Sequence, residues 1–439
     1  MKFWTPVLFF LVASLCLAPA VLAVEQSPAP PVLQELVAEA LANNPDLQAA
    51  RDRWELFGHK VAAARTLDDP MLGVAFSNYP IDSFQADQTA MTGNEIKLSQ
   101  NFPFPGKLAA KGNQAEEQAR WYQSVYEDSK LLLAQKVKDA YYRLYFQDRA
   151  IAVNEENLDI LENFVSLTKT RYEVGTGLQQ DLLKAQVAQS QLIDRQLTLR
   201  QQRSSVLAEI NRLLARPAAQ PLGTVSELAM TPVEVDPAAL LERAREHRPM
   251  FASFESLIER FASQRKLAKL DYLPNFNLWA SYRFRDDGLP DRGTDFVSAG
   301  FGINLPLWQE KRSEAVAEAD SGLRMARRQL EDFSNQLGAS IQDIYAQLEK
   351  NRDLVQLFAT GIIPQAQQSF DASLAAYQVG KVEFLSLLDS LMSLYRYQLD
   401  YQRAVSDYQR NVAKLEAATG VTLSGTAALQ NPSTDRMKP

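Results

Sequence analysis

Tyr172-Glu173-Val174-Gly175-Thr176-Gly177-Leu178-Gln179-Gln180-Asp181-Leu182-Leu183 is the stretch that decides the fold, because a second version of it follows far downstream. The residues that recur are Tyr172, Val174, Gly175, Leu182 and Leu183, which return as Tyr377, Val379, Gly380, Leu387 and Leu388, each displaced by 205 (377 − 172). A glycine-centred reversal between two long helix-forming runs predicts a helical tip. Two such tips in one chain predict a duplicated hairpin architecture.

The runs that flank the tips predict rods rather than ordinary globular helices. No proline occurs between Pro105 and Pro217, and the run from Gly106 to Tyr172 would extend about 100 Å as a helix. Apolar residues recur every seven positions at Val137, Leu144, Ile151, Leu158, Val165 and Tyr172, and again at Ile341, Leu348, Val355 and Ile362. This spacing predicts left-handed coiled-coil packing.

Between a short N-terminal helical region and each rod, the hydrophobic period changes from helical to alternating. The alternation predicts two β-hairpins, with strands at about 71–80 and 94–103 in the first repeat and about 274–284 and 295–306 in the second. One face of each strand is apolar and the other is small or polar. Strands of this length and pattern are typical of an outer-membrane barrel.

Four strands cannot close a barrel, so their edges require strands from other chains. Two chains would supply eight strands and three would supply twelve, and an open lumen favours the larger number. A soluble β-hairpin domain at the end of a coiled coil also alternates. The equal duplication and the aromatic residues near the strand ends favour the membrane, and these residues are Tyr79, Phe102, Phe104, Tyr282, Phe284 and Trp308.

The ends of the chain and its composition set further bounds. Residues 1–23 have the pattern of a secretory signal peptide, followed by a first repeat (24–215), a linker (216–237), a second repeat (238–420) and a flexible tail (421–439). The only cysteine, Cys16, lies inside the predicted signal, and the bulky Leu15 before it argues against lipidation. The net charge of −7 is spread along the chain, which gives no indication of nucleic-acid binding.

The sequence resembles the TolC-like outer-membrane efflux proteins in three features taken together. These are the signal peptide, the twofold order of helix, hairpin, rod and return helix, and the two tips. The tips that carry this resemblance are Tyr172-Glu173-Val174-Gly175 and Tyr377-Gln378-Val379-Gly380. The resemblance implies a mainly α protein with a membrane β-barrel, a homotrimer that forms a twelve-stranded barrel and a periplasmic α-helical barrel. It implies an exit duct in outer-membrane lipid that works with a periplasmic adaptor and an inner-membrane transporter of the RND type.

The resemblance also implies two kinds of site. The tips would dock the adaptor through Arg171, Tyr172, Val174, Gly175, Thr176, Gly177, Leu178, Tyr377, Val379, Gly380, Lys381, Val382 and Phe384. Family members carry paired aspartates six and nine residues after the second tip glycine, positions that are Ser386 and Asp389 here. The equivalent positions in the first repeat are Asp181 and Lys184. The expected periplasmic gate is therefore Asp389, Ser386 and Asp181, with one acidic ring rather than two.

The sequence gives no sign of enzymatic chemistry, and no cofactor or metal site is expected. Phosphate-binding, dinucleotide-binding, metalloprotease and serine-hydrolase motifs are lacking, and the two histidines, His59 and His247, fall at non-equivalent repeat positions. The favoured function is the exit duct of a tripartite efflux pump for small molecules or metal ions. Type I protein secretion and a non-transport periplasmic coiled-coil scaffold remain as alternatives.

Overall fold

The computed structural model describes residues 31–228, 230, 233, 236–288 and 292–423. The helices are α1 Leu33–Asn43, α2 Pro45–Arg65, α3 Lys107–Glu173, α4 Gln179–Leu213, α5 Pro237–His247, α6 Pro249–Leu270, α7 Gln309–Leu357, α8 Ile363–Gln378 and α9 Phe384–Thr419. The strands are β1 Met71–Ser77, β2 Gly93–Phe102, β3 Phe276–Phe284 and β4 Phe296–Ile303. The predicted signal peptide and residues 424–439 of the predicted tail lie outside the described residues.

The two rods differ in continuity. Helix α3 runs unbroken for 67 residues, which is a length of about 100 Å. The corresponding rod of the second repeat is interrupted by a π-helical turn, Phe358–Ile362, between α7 and α8. Pro364 in the first turn of α8 explains the interruption, because proline lacks an N–H and its ring clashes with the carbonyl four residues earlier. Among the described residues, no helix combines the length and the apolar character needed to span a lipid bilayer.

Helix α3 packs against α2 and α6 as well as α4 and α9, so a single seam does not account for its buried positions. The predicted seven-residue seam is buried at Val137 and Leu144, but it is only partly buried further along and reaches the surface at Tyr172. A second series takes over the fully buried positions: Ala150, Asn154, Asn157, Leu161, Phe164 and Thr168. Its alternating spacing of four and three residues keeps a coiled-coil pattern.

The four strands form one antiparallel sheet in the order β1-β2-β3-β4. Pairing of β2 with β3 joins the two hairpins, and β1 and β4 stand at the edges. Strand β1 ends at Ser77, short of the expected position 80, because Asn78 adopts a positive φ of 59° that breaks the extended backbone. One face of the sheet exposes large apolar side chains, among them Phe76, Val297 and Phe301.

The linker between the repeats is fastened to the rods by a buried carboxylate. Asp148 on α3 forms an ion pair with Arg203 on α4 at 2.6 Å and accepts a hydrogen bond from the backbone N–H of Val225 at 2.8 Å. Arg203 also donates to the carbonyl groups of Leu222 and Gly223. The chain between the repeats therefore lies against the middle of the rods.

Candidate functional site

The first tip is a short turn that reverses the chain between α3 and α4. Gly175 has φ 76°, a left-handed conformation that favours glycine, and its N–H donates to the Tyr172 carbonyl at 3.0 Å. Gly177 donates to the Arg171 carbonyl at 2.9 Å, and a Cβ added at Gly177 would lie 2.9 Å from the Arg171 Cβ. The tip therefore requires glycine at 175 for its dihedral angle and at 177 for its close contact.

The second tip reverses the chain between α8 and α9 with the same geometry. Gly380 has φ 74° and donates to the Tyr377 carbonyl at 3.0 Å, and the N–H of Lys381 donates to the Ala376 carbonyl at 2.9 Å. These bonds satisfy carbonyl groups that the end of a helix leaves free. The tips of the two repeats are thus built alike, although their sequences differ in part.

Arg171 connects the two tips. Its Nη1 donates to the Tyr377 carbonyl at 3.1 Å, and its Nη2 donates to the Gln378 carbonyl at 3.0 Å. Its guanidinium also lies 4.7 Å from the centre of the Tyr377 ring. The acceptors are the last carbonyls of α8, where the helix dipole favours a positive charge. A side chain predicted to contact a partner therefore binds the neighbouring tip.

Two of the predicted docking residues belong to the interior of the hairpins. Tyr377 is 4% exposed and Phe384 is 1% exposed, and their rings meet edge to face with centroids 5.6 Å apart. Phe384 also packs against Phe164 on α3 at 6.1 Å. Because both rings are buried in the core of the helical tips, the docking surface proposed below leaves them out.

The remaining predicted docking residues are at or near the surface. Exposed side chains are Tyr172, Val174, Thr176, Val379 and Lys381, with Leu178 also 66% exposed, and Val382 is half-buried. The apolar members Val174, Leu178 and Val379 are each 66% exposed. Apolar side chains grouped at the end of a polar rod are typical of a protein-binding surface.

The three predicted gate residues differ in environment. Asp181 lies in the first turn of α4 and is half-buried, and burial raises the pKa of its carboxyl above the ordinary value of 3.8. Lys184 and Arg171 oppose this rise in pKa, whereas Glu383 adds to it. Ser386 and Asp389 are exposed in the first turns of α9. Glu383 was missed from the sequence, because only the packing of the two tips brings it near Asp181.

The face of the sheet opposite the apolar one carries polar and charged side chains. Lys97 on β2 places its ammonium 4.5 Å from the centre of the Trp279 ring on β3. Glu95 on β2 forms an ion pair with Arg283 on β3 at 2.9 Å. Among the described residues, no group of three His, Cys, Asp or Glu side chains is placed to hold a metal ion.

The chain combines long helical hairpins that end in tips with a small sheet that has open edges and one apolar face. This combination is typical of outer-membrane ducts built from several chains. The sequence model of the family described as outer membrane efflux protein matches residues 36–216 and 240–421. These two ranges cover most of the chain and match it once per repeat. The chain therefore belongs to the outer membrane efflux protein family.

Similar proteins cover nearly the whole chain. Outer membrane protein TolC of Salmonella enteritidis is 22% identical over 408 residues, which are 88% of this chain and 82% of that protein. Cobalt-zinc-cadmium resistance protein CzcC of Cupriavidus metallidurans is 21% identical over 85% of this chain and 86% of its own length. The structure of the outer membrane protein VceC from Vibrio cholerae superposes with a TM-score of 0.75 at 18% identity, covering 89% of this chain and 96% of that one.

The family assignment confirms the predicted TolC-like fold and the outer-membrane location with extension into the periplasm. The protein is a transport component and not an enzyme. Trimer formation and a shared barrel follow from the family, as do partnerships with adaptors and inner-membrane transporters.

Proposed function

We propose that this protein is the exit duct of a tripartite efflux pump and passively conducts small molecules or metal ions from the periplasm to the exterior. The observation that carries the proposal is the sheet. Its edge strands β1 and β4 expose unpaired backbone groups beside an apolar face. Unpaired backbone groups are not tolerated in lipid, so the edges require strands from other chains. Three chains would close twelve strands around a lumen and continue it through the rods.

The proposed docking surface for the periplasmic adaptor consists of the exposed tip residues. Val174 and Leu178 on the first tip and Val379 on the second offer apolar contacts, and Lys381 adds a positive charge. Arg171 contributes indirectly, because its bonds to the second tip hold the two surfaces side by side. The surface would bind one adaptor hairpin at each tip, with different contacts at the two.

The proposed inner-membrane partner is a transporter of the RND type, which would supply the energy that a passive duct lacks. Similarity to CzcC, named for cobalt, zinc and cadmium resistance, supports metal ions as one class of cargo. The inner-membrane transporter would select the cargo. Expression of the protein beside candidate transporter and adaptor pairs, with export measured for metal ions and for organic dyes, separates the two cargo classes.

Site-specific photocrosslinking in cells tests the docking surface. A photoreactive residue at Val379 or Leu178 should label a periplasmic adaptor. The same residue at Met325 is a matched control, since this side chain is 47% exposed but lies on α7, towards the barrel end of the rod. Labelling at Met325 with none at the tips would contradict tip docking.

Cell fractionation and planar-bilayer recording test the duct itself. The proposed function predicts a heat-modifiable oligomer in the outer membrane and discrete conductance steps from the purified protein. A soluble periplasmic species without conductance would contradict it. Export of an unfolded protein together with a type I transporter, in the absence of small-molecule efflux, would instead identify a secretion duct.

A further inference from the structure

The charged side chains of the described strands all lie on one face of the sheet. In the described strands β1 to β4, the charged residues are Glu95, Lys97 and Arg283. Residues of odd number on β2 pair with residues of odd number on β3, so these three side chains share a face. The opposite face carries most of the exposed apolar residues, including Ile96 and Leu98 beside Lys97 on β2, whereas Met71 and Phe296 share the charged face.

The charged face is the inner face of the barrel. A strand in a membrane barrel alternates between lipid and lumen, and the apolar side must meet the lipid. Glu95 and Arg283 form an ion pair with each other, which leaves Lys97 as the unbalanced charge. In the described part of the chain, Lys97 contacts the ring of Trp279 and forms no ion pair with a carboxylate.

Lys97 is exposed and contacts Trp279, and small residues lie directly opposite it on both neighbouring strands. Trp279 is its diagonal neighbour across the β2–β3 pair, within reach of a long side chain. The indole lies over Gly300 on β4, where an added Cβ would be only 2.8 Å from Cζ2 of the ring. The residues directly opposite Lys97 on the two neighbouring strands are small, Gly73 and Ser281.

We propose that Lys97, supported by Trp279, forms an anion-attracting ring in the barrel lumen, so that this section of the duct passes anionic solutes more readily than free metal ions and other cations. A trimer places three such ammonium groups around one aqueous path, and a lumen with low-dielectric walls strengthens their field. This inference rests on the proposed function, since it requires a conducting barrel. The ring would act in series with Asp389, the acidic gate residue predicted from the sequence for the opposite end.

Thiol chemistry on the assembled channel tests the ring. Cys16 is the only cysteine and lies in the predicted signal, so Lys97→Cys would introduce the single thiol of the mature chain. The variant is made together with Asp389→Ala, so that selectivity at the neck does not hide selectivity in the barrel. Reversal potentials are recorded in a gradient of about 0.01 M to 0.1 M KCl, where the Debye length is about 30 Å to 10 Å.

The reagents are methanethiosulfonates of opposite charge, added to the same open channel. Relative to the channel with Lys97, Lys97→Cys should lower the anion-to-cation permeability ratio by about twofold or more. The cationic reagent should restore the ratio, and the anionic reagent should lower it further. Lys97→Arg should leave the ratio unchanged, because it keeps both the charge and the cation–π contact.

Leu98→Cys is the matched control, because this neighbouring residue of β2 lies on the apolar face. No shift in reversal potential at Lys97→Cys with either reagent, or an equal shift at Leu98→Cys, would overturn the ring while the channel still conducts. Absence of conductance in the parent protein and in every variant would instead overturn the proposed duct. The two failures are therefore distinguishable.

Discussion

Replacement of Arg171 by alanine should weaken the contact between the two tips. The change removes two hydrogen bonds to the last carbonyls of α8, at 3.1 and 3.0 Å, and a guanidinium stacked 4.7 Å from the Tyr377 ring. Hydrogen bonds from a charged group contribute about 1.5–3 kcal/mol when buried, and a cation–π contact adds about 0.5–1 kcal/mol. Partial exposure of Arg171 reduces the sum, since water replaces part of each contact.

We expect a net loss of about 1–2 kcal/mol per chain, which changes the ratio of separated to joined tips by about tenfold. Spin labels at Thr176 and Lys381 report the distance between the tips in the purified trimer. Both side chains are exposed, and the label at Thr176 removes the hydrogen bond from its hydroxyl to the Arg171 carbonyl, at 3.3 Å, equally in every variant. Arg171→Ala should broaden the distance distribution and add a longer component.

Lys169→Ala is the matched control for Arg171→Ala. It removes a positive charge from the same end of α3, but the ion pair that Lys169 forms within the described residues is with Glu173 of its own helix, at 4.0 Å. Arg171→Lys should give a distance distribution between those of Arg171→Ala and the unchanged protein. The lysine ammonium keeps the positive charge but lacks the planar guanidinium that donates to both carbonyl groups. Identical distance distributions for Arg171→Ala and the unchanged protein would refute the assignment of Arg171 as a bridge.

Three further predictions concern the same end of the molecule. Asp389→Ala should raise the conductance of the isolated protein, because it replaces three exposed carboxylates of the predicted narrow neck by smaller side chains, and unchanged conductance would remove Asp389 from the gate. Burial raises the pKa of the Asp181 carboxyl above 3.8. The contribution of this carboxyl to the stability of the fold is therefore fully present below pH 3.8, and it is lost as the pH rises through the pKa of the folded state. Asp181→Asn should therefore raise the melting temperature near neutral pH and flatten its pH dependence, and an unaltered melting curve at about pH 7 would count against this account. Gly177→Ala should destabilise the first tip by about 1–3 kcal/mol in thermal unfolding, since the added Cβ would clash with Arg171. Gly361→Ala is the milder control, because its added Cβ would lie 3.8 Å from a methyl group of Leu357.

Periodicity and repetition made the architecture predictable. The recurrence of Tyr172, Val174 and Gly175 at a fixed displacement marks both tips, and alternation over short runs marks both hairpins. Each tip and each strand can be recognised from its own short stretch of sequence, without knowledge of what packs against it. The pairing of β2 with β3, which merges the hairpins into one sheet, joins residues more than 170 positions apart and left no pattern of its own.

The candidate site was harder to predict, because its contacts form between repeats. Arg171 precedes the first tip where Ala376 precedes the second, but the role of Arg171 depends on the carbonyl groups of Tyr377 and Gln378, which the sequence does not display. The burial of Tyr377 and Phe384 likewise depends on α3 lying beside α9. An aromatic at a turn has the same local pattern whether it faces a partner protein or its own core.

The asymmetry between the repeats follows from these contacts and gives them different mechanical roles. The first rod is continuous over α3, whereas the second changes to a π-helical turn, Phe358–Ile362, directly before the 16 residues of α8. A π-helical turn concentrates bending at one place. Arg171 then restrains the segment beyond that turn by holding the last carbonyls of α8. Loss of this bond should therefore move the second tip, with Asp389 beyond it, more than the first.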